Sequence, residues 1–166
     1  MSKYKHHVII ILIISSIFSC GKEYVKDSGT VNADNRFINA ANEQLAKYPV
    51  AGFRYKSSKL PDENFKSWSK AGALVVKAVV DKIPEGYVLE IRGHTDATGP
   101  EEPEDSKPGN ILISKDRAKT VYDAIKKIGI QSSKITYRGV GSSEAVQNAP
   151  ENDDDQRRVT FKCVPR

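Results

Sequence analysis

Two kinds of hydrophobic periodicity alternate along the chain from Val50 onward, and together they leave few possible folds. Apolar residues at every second position predict half-buried strands, and apolar residues three or four apart predict helices. The predicted order of elements is strand, helix, strand, helix, strand, strand. This order predicts an α/β fold, a two-layer sandwich with its helices packed on one face of a mixed sheet.

Four segments carry the strand pattern. The first has Phe53 and Tyr55 alternating with polar residues, the second ends at Gly93, and the third precedes Gly139. The alternation is clearest in the fourth, near the C-terminus. The side chains expected to face the core are Phe53, Tyr55, Tyr87, Leu89, Ile91, Ile135, Tyr137, Val159, Phe161 and Cys163.

Two segments between these strands carry the helix pattern. We expect Asp62 to cap the first helix, and Pro84 to end it because proline disfavours helix in the residue before it. We expect Ser114 to cap the second helix, which places Arg117 in its first turn, and Gly129 to end it. The predicted buried stripes are Phe65, Trp68, Val75, Ala78 and Val79 in the first helix, and Ala118, Val121, Tyr122, Ile125 and Ile128 in the second.

The N-terminal segment has the pattern of a secretory signal. A basic leader precedes an apolar run at residues 8–18, which is shorter than the roughly 20 residues of a membrane-spanning helix. The residues Ser19-Cys20 that follow resemble the lipobox of bacterial lipoproteins, in which the cysteine is lipidated. This resemblance implies a signal peptide at residues 1–19 and a lipid anchor on Cys20. The alternative is an ordinary signal peptide in which this cysteine is incidental. With Cys20 lipidated, Cys163 is expected to be a small buried hydrophobe.

Residues 20–49 are expected to connect the anchor to a domain at residues 50–166. Their composition is polar as far as about Asn32, which is typical of a flexible tether. At residues 34–48, apolar side chains recur every three or four positions and predict a short amphipathic helix that Pro49 ends. This helix could dock on the domain or bind a partner, and we favour docking.

Charge and side-chain chemistry exclude several classes of function. The formal net charge is +5, and removal of Lys3 and Lys5 with the signal peptide leaves 26 − 2 − 21 = +3, which does not favour nucleic acid. His94 has no second histidine or cysteine at ligand spacing, so we interpret it as structural and expect no metal and no cofactor. No nucleophile has a recognisable base beside it, so we do not expect an enzyme.

A series of short motifs occurs in the order found in one family of domains. The motifs are Gly93-His94-Thr95-Asp96-Ala97-Thr98-Gly99, Asn110, Ile113-Ser114, Arg117-Ala118, Gly139-Val140-Gly141 and Arg157-Arg158-Val159. Together they resemble the OmpA-like C-terminal domain, a peptidoglycan-binding module that includes the peptidoglycan-associated lipoprotein. The resemblance covers about residues 50–163, and the whole chain with its lipobox resembles spirochaetal outer-membrane lipoproteins of this family.

The resemblance implies a ligand and a set of contacts. The ligand is diaminopimelate in the stem peptide of peptidoglycan, which ends in a carbon that bears an ammonium and a carboxylate. Asp96 is expected to accept hydrogen bonds from the ammonium, and Arg117 to bind the carboxylate through its planar guanidinium. The other implied contacts are Thr95, Asn110 and Ile113, which line the pocket, and Arg157. The chain would then be a non-catalytic tether between the outer membrane and the cell wall. Its lipid is expected on the periplasmic face of the outer membrane, and exposure on the cell surface stays open.

Alternatives to this interpretation stay open at the level of sequence. Asp96 and Arg117 could form an internal salt bridge instead of a ligand site. The domain could also be displayed on the cell surface and bind host or extracellular macromolecules, and a cell-wall hydrolase is the least favoured reading. Residues 101–108 lengthen the separation between Asp96 and Arg117, and the acids of this loop could repel a ligand carboxylate or face water.

Overall fold

The computed structural model describes residues 28–166, so the predicted signal peptide and Cys20 lie outside the described residues. In this part of the chain, no helix is both long enough and apolar enough to span a bilayer. The helices are α1 (Ser28–Leu45), α2 (Asp62–Ser69), α3 (Gly72–Lys82) and α4 (Gly109–Lys127), with a 3-10 helix at Asp154–Gln156. The strands are β1 (Val50–Ala51), β2 (Tyr87–Gly93), β3 (Ile135–Gly139) and β4 (Arg158–Pro165).

The four strands form one mixed sheet in the order β1-β4-β2-β3. The central strand β2 runs parallel to β3 and antiparallel to β4, and Leu89 pairs with Ile135 on one side and Cys163 on the other. Helix α4 makes the crossover that a parallel strand pair requires. The predicted α/β sandwich with a mixed sheet is confirmed.

One hydrophobic core lies between the sheet and the helices. Leu89, Ile91 and Phe161 are 0%, 0% and 3% exposed and belong to one cluster with apolar residues of all four helices. On the opposite face of β2, Arg92 Nε donates to Glu90 Oε1 at 2.6 Å. The period-two pattern therefore identified the core-facing side of β2 and β4 correctly.

Helix α1 is longer than predicted and is part of the core. It begins at Ser28, so the prediction that the tether continues to about Asn32 was wrong at its C-terminal end. Leu45 is 1% exposed, and the side-chain amide of Asn42 pairs with both backbone groups of Cys163, donating to the carbonyl at 3.1 Å and accepting from the N–H at 2.7 Å. The helix thus docks on the edge of β4.

The predicted first strand and first helix are both shorter than expected. The strand ends at Ala51, because Gly52 adopts φ +92° and turns the chain before Phe53. The single predicted helix is two helices, α2 and α3, and its N-cap is Pro61 with no side-chain cap, not Asp62. The break lies where the Trp68 ring packs directly over Gly72, at a position that a Cβ would fill.

Side chains of α2 and α3 also correct the predicted stripe. Trp68 is core, as predicted, since it stacks between Phe65 and Phe161 at 5.3 and 5.2 Å and donates through Nε1 to the Tyr48 carbonyl at 2.9 Å. Ala78, however, is exposed. The break between the helices rotates α3 relative to the continuous helix that the pattern assumed, so Val76 and Val80 are buried instead.

Helix α4 begins at Gly109, five residues before the predicted cap at Ser114. The Ser114 hydroxyl lies inside the helix, where it donates to the Ile111 carbonyl at 3.0 Å and accepts from the Gly141 N–H at 3.0 Å. A Cβ on Gly93 would collide with the Ser114 carbonyl oxygen. Backbone contact therefore fixes α4 over the end of β2. The helix ends at Lys127, and Gly129 (φ +90°) lies just beyond it as the predicted stop, but Ile128 is 47% exposed and does not join the core.

Candidate ligand-binding site

A cavity of about 280 Å³ opens where β2 ends and α4 begins. The turn after β2, the loop at 99–108, the first turns of α4 and the segment after β1 form its walls. Five of the six residues predicted to bind ligand line this cavity: Thr95, Asp96, Asn110, Ile113 and Arg117. The structure therefore brings together residues that lie on different elements. The other lining residues are Tyr55, Lys56, Thr98, Gly99, Pro100, Ser106, Lys107, Pro108 and Gly109.

Arg117 forms the floor of the cavity. It is 1% exposed, and its guanidinium donates to three backbone carbonyls: Nε to Ser57 at 2.8 Å, Nη1 to His94 at 2.7 Å and Nη2 to Arg54 at 3.0 Å. These bonds fix the plane of the guanidinium and leave one N–H on each Nη for a ligand. They also explain why residues 53–56 are not a strand, because carbonyls that a sheet would use are turned toward arginine.

The charge of Arg117 persists at neutral pH despite its burial. Desolvation lowers the pKa of Arg117 from 12.5 to about 10, Asp96 acts in the opposite direction, and Arg157 lowers it further. The guanidinium therefore remains a cation at pH 7, and the cavity floor can attract an anion.

Asp96 lies beside Arg117 but is not its ion-pair partner. Its Oδ2 accepts from Arg157 Nη1 at 2.9 Å, and its Oδ1 accepts from the Thr98 N–H at 3.1 Å. The alternative of an internal Asp96–Arg117 salt bridge is therefore not what the structure contains. A carboxylate has about four lone-pair sites, so Asp96, although only 3% exposed, keeps capacity for a ligand.

Arg157 contacts Asp96 and does not line the cavity. Its Nε donates to the Phe53 carbonyl at 3.0 Å, and its Nη2 is bonded to Asp154. Burial alone would lower the pKa of Arg157, but the hydrogen bonds to Asp96 and Asp154 outweigh burial and raise it. Arg157 thus orients the Asp96 carboxylate, and its direct contact with a ligand stays a prediction.

Thr95 and His94, neighbours at the end of β2, have different roles. Thr95 is 5% exposed and lines the cavity, yet its hydroxyl has no hydrogen-bond partner among residues 28–166. His94 is 1% exposed, and its Nε2 lies 2.8 Å from the Thr160 hydroxyl. Burial and the charges of Arg158 and Arg92 lower the pKa of His94 to about 3, so it is neutral at pH 7. Across residues 28–166, no group of three or more His, Cys, Asp or Glu side chains is placed to hold a metal ion.

Several parts of the site have no counterpart in the sequence prediction. The carbonyls that hold Arg117 and Arg157 carry no side-chain pattern, so only the structure reveals them. The carboxylate of Glu101 accepts from Asn110 Nδ2 at 3.1 Å and from the Ser142 hydroxyl, and so joins the loop to α4. Buried Gln156 accepts from the Val146 N–H at 2.7 Å. Both are ordinary polar residues in the sequence, and nothing in their spacing marks these contacts.

A match to a family model identifies the class of protein that this fold and cavity define. Residues 52–159 match the model of the OmpA family, which is more than half of the chain. The chain belongs to the OmpA family. None of the curated proteins matches it.

Two solved structures show the same fold at low sequence identity. The peptidoglycan-associated lipoprotein from Burkholderia pseudomallei is 21% identical, with a TM-score of 0.54 over 77% of this chain and 99% of that one. The C-terminal domain of Helicobacter pylori MotB is 17% identical, with a TM-score of 0.51 over 71% of this chain and 86% of that one. The protein therefore contains an OmpA-like domain, a class of domain that typically has a structural or binding role.

Proposed function

We propose that this chain is an outer-membrane lipoprotein, anchored by lipid on Cys20, that binds peptidoglycan non-covalently and tethers the membrane to the cell wall. The ligand is the ammonium-and-carboxylate end of diaminopimelate in a stem peptide. One observation carries this proposal: Asp96 and Arg117 line the same recessed cavity, and both keep hydrogen-bonding capacity after their internal contacts are made.

Each ligand group has a matching protein group. The remaining N–H groups of Arg117 suit the carboxylate as a planar pair of donors. The ammonium suits the unused lone pairs of Asp96 and the unpartnered hydroxyl of Thr95. Ile113 supplies apolar contact to the methylene chain between the two ends of the amino acid, and Asn110 is held at the wall by Glu101.

Burial decides whether these contacts hold a ligand. An exposed ion pair contributes only about 0.2–1 kcal/mol, whereas a hydrogen bond to a charged group contributes about 1.5–3 kcal/mol. Asp96 and Arg117 are 3% and 1% exposed, so the second range applies. Affinity for one site is still modest, but a polymeric wall and many anchored copies give avidity without tight single sites. Two or more acyl chains on Cys20 would hold the other end stably in the membrane.

Sedimentation of the full-length protein with purified sacculi tests the proposal. Asp96→Asn removes the charge but keeps the shape, and we expect its binding to the sacculi to weaken about ten-fold or more. Asp123→Asn is the matched control, because Asp123 is ion-paired with Lys119 on the surface of α4 and does not line the cavity.

A second variant separates binding from folding. Thr95→Val removes a buried hydroxyl that has no partner in the described residues, so the free energy of unfolding should stay the same or rise while ligand binding weakens. If Asp96→Asn and Thr95→Val both sediment as well as wild type, the cavity is not the peptidoglycan site. Display on the cell surface, tested by protease treatment of intact cells, would then be the better hypothesis.

A further inference from the structure

The walls of the cavity carry more positive than negative charge. Lys56, Lys107 and Arg117 line it, and Asp96 is the one acidic lining residue, so the sum is 3 − 1 = +2. Asp96 is already paired with Arg157, which lies outside the lining. The end of a diamino acid that bears one ammonium and one carboxylate has no net charge, so it leaves this excess unbalanced.

The two lysines lie on different segments at the exposed end of the cavity, which we call its mouth. Both are exposed, whereas Arg117 on the floor is 1% exposed. Lys56 follows β1, and its ammonium lies 5.1 Å from the centre of the Tyr55 ring, which is itself a lining residue. Neither Lys56 nor Lys107 has an ion-pair partner within the described residues 28–166. By contrast, Lys77 on α3 is paired with the acid four residues later at 2.7 Å.

Backbone hydrogen bonds hold the loop at 101–108 in place as a wall of the cavity, and this wall carries Lys107. Backbone bonds join Glu104 and Lys107 in both directions, at 3.1 and 2.9 Å. The Asn110 N–H donates to the Pro100 carbonyl at 2.8 Å, which fixes the base of the loop against α4. None of the four acids at 101–105 lines the cavity, whereas Ser106, Lys107 and Pro108 do. The loop therefore adds a cation to the lining, while none of its four carboxylates belongs to the lining.

We infer that the mouth of this cavity is a subsite for a second carboxylate, contacted by Lys56 and Lys107. The ligand class is then an acidic peptide that carries a free carboxylate in addition to its diamino-acid end, and not a neutral zwitterion alone. This inference rests on the proposed function and deepens it. A stem peptide offers such a group on its γ-linked glutamate, unless that carboxylate is amidated.

Two synthetic peptides test the subsite with the full-length protein. Both contain alanine, γ-linked glutamate and diaminopimelate whose C-terminal carboxylate is amidated, and they differ only in whether the glutamate α-carboxylate is free or amidated. By calorimetry at low salt, we expect the free acid to bind about five- to ten-fold more tightly. The difference should shrink at about 0.5 M salt, because exposed charges are screened there.

Lysine variants connect this preference to the mouth. Lys56→Met and Lys107→Met should each weaken binding of the free acid by about two- to five-fold and bring the ratio of the two affinities toward one. Lys126→Met is the matched control, since Lys126 lies 5.2 Å from the centre of the Tyr122 ring in the same kind of contact but away from the cavity. It should leave the ratio as in wild type.

The outcomes distinguish this inference from the function on which it rests. Equal binding of the two peptides, or a ratio that neither lysine variant changes, would overturn the subsite while the diamino-acid site stands. Absence of binding by both peptides would overturn the proposed function and the subsite together.

Discussion

Burial of His94 predicts that the protein loses stability as the pH falls below 6.5. The imidazole is 1% exposed, and burial, followed by the positive charges of Arg158 and Arg92, lowers its pKa from 6.5 to about 3. The folded state therefore holds the neutral ring, whereas the unfolded chain takes up a proton below about pH 6.5. Because the unfolded state binds more protons between pH 6.5 and about 3, acid favours unfolding throughout that window.

The size of the effect follows from the difference in pKa. Each unit of pH below 6.5 destabilises the fold by about 1.4 kcal/mol while His94 stays neutral, so the free energy of unfolding falls by about 2 kcal/mol between pH 7.5 and 5.0. The other two histidines of the chain, His6 and His7, lie in the predicted signal peptide. In a protein that starts at Cys20, as the predicted cleavage would leave it, His94 is the one histidine that this experiment titrates.

Urea unfolding at the two pH values measures this loss. The chain has a single tryptophan, Trp68, which is 8% exposed, so its fluorescence follows loss of the core. We expect the urea midpoint of wild type to fall at pH 5.0 with an unchanged slope, and that of His94→Gln to change much less. A wild-type midpoint that is the same at both pH values, or an equal fall in His94→Gln, would refute the assignment of a buried neutral imidazole.

Three further predictions concern the fold and its core. Leu45→Ala should lower the free energy of unfolding by about 2–5 kcal/mol because Leu45 is 1% exposed. The control Leu74→Ala, at a 67% exposed position, should change it by under about 0.5 kcal/mol. Similar urea midpoints for the two variants would contradict the docking of α1. Gly93→Ala should lower the melting temperature, since its Cβ would meet the backbone of α4 and overpacking costs about 1–3 kcal/mol; an unchanged melting temperature would refute the close approach. Burial raises the pKa of Cys163 to about 11. At pH 8 a thiol reagent should therefore label Cys163 slowly in the folded protein and rapidly in urea. Fast labelling of the folded state would show that Cys163 is not buried.

The parts of the fold that the sequence predicted well are those decided by side-chain burial. Strand β4 alternates Val159, Phe161 and Cys163 with polar residues because one face meets the helices and the other does not. The end of α4 was equally visible, since Gly129 takes a positive φ that favours glycine. Local pattern and tertiary packing agree in both places.

The parts that it predicted poorly are those decided by backbone polar groups. The apolar alternation around Phe53 is that of a strand, but Arg117 and Arg157 take the carbonyls of this segment, and no residue type signals that a carbonyl has a distant partner. Serine is a preferred N-cap residue because its hydroxyl can accept a backbone N–H from the first turn of a helix. The Ser114 hydroxyl does accept a backbone N–H, but that N–H belongs to Gly141, after β3. The site has the same limit, because its motif indicated Asp96 and Arg117 but carried no signal for residues that other segments bring to the cavity. Lys56 and Lys107 could be assigned to the mouth only from the structure.

The docked helix α1 sets how far the domain can stand from a bilayer. With lipid on Cys20, only the seven residues 21–27 lie between the anchor and Ser28, where α1 begins, so 28 − 20 = 8 residue-to-residue steps separate the two. A stretched chain of that length spans at most about 28 Å, whereas a tether that ran to Pro49 would span about 100 Å. Inserting ten residues before Ser28 should therefore widen the gap between membrane and wall in electron cryotomograms. An unchanged gap would contradict the idea that the linker between Cys20 and Ser28 limits this distance. Under the proposed function, docking of α1 on the edge of β4 therefore limits the distance that the protein can bridge between membrane and wall.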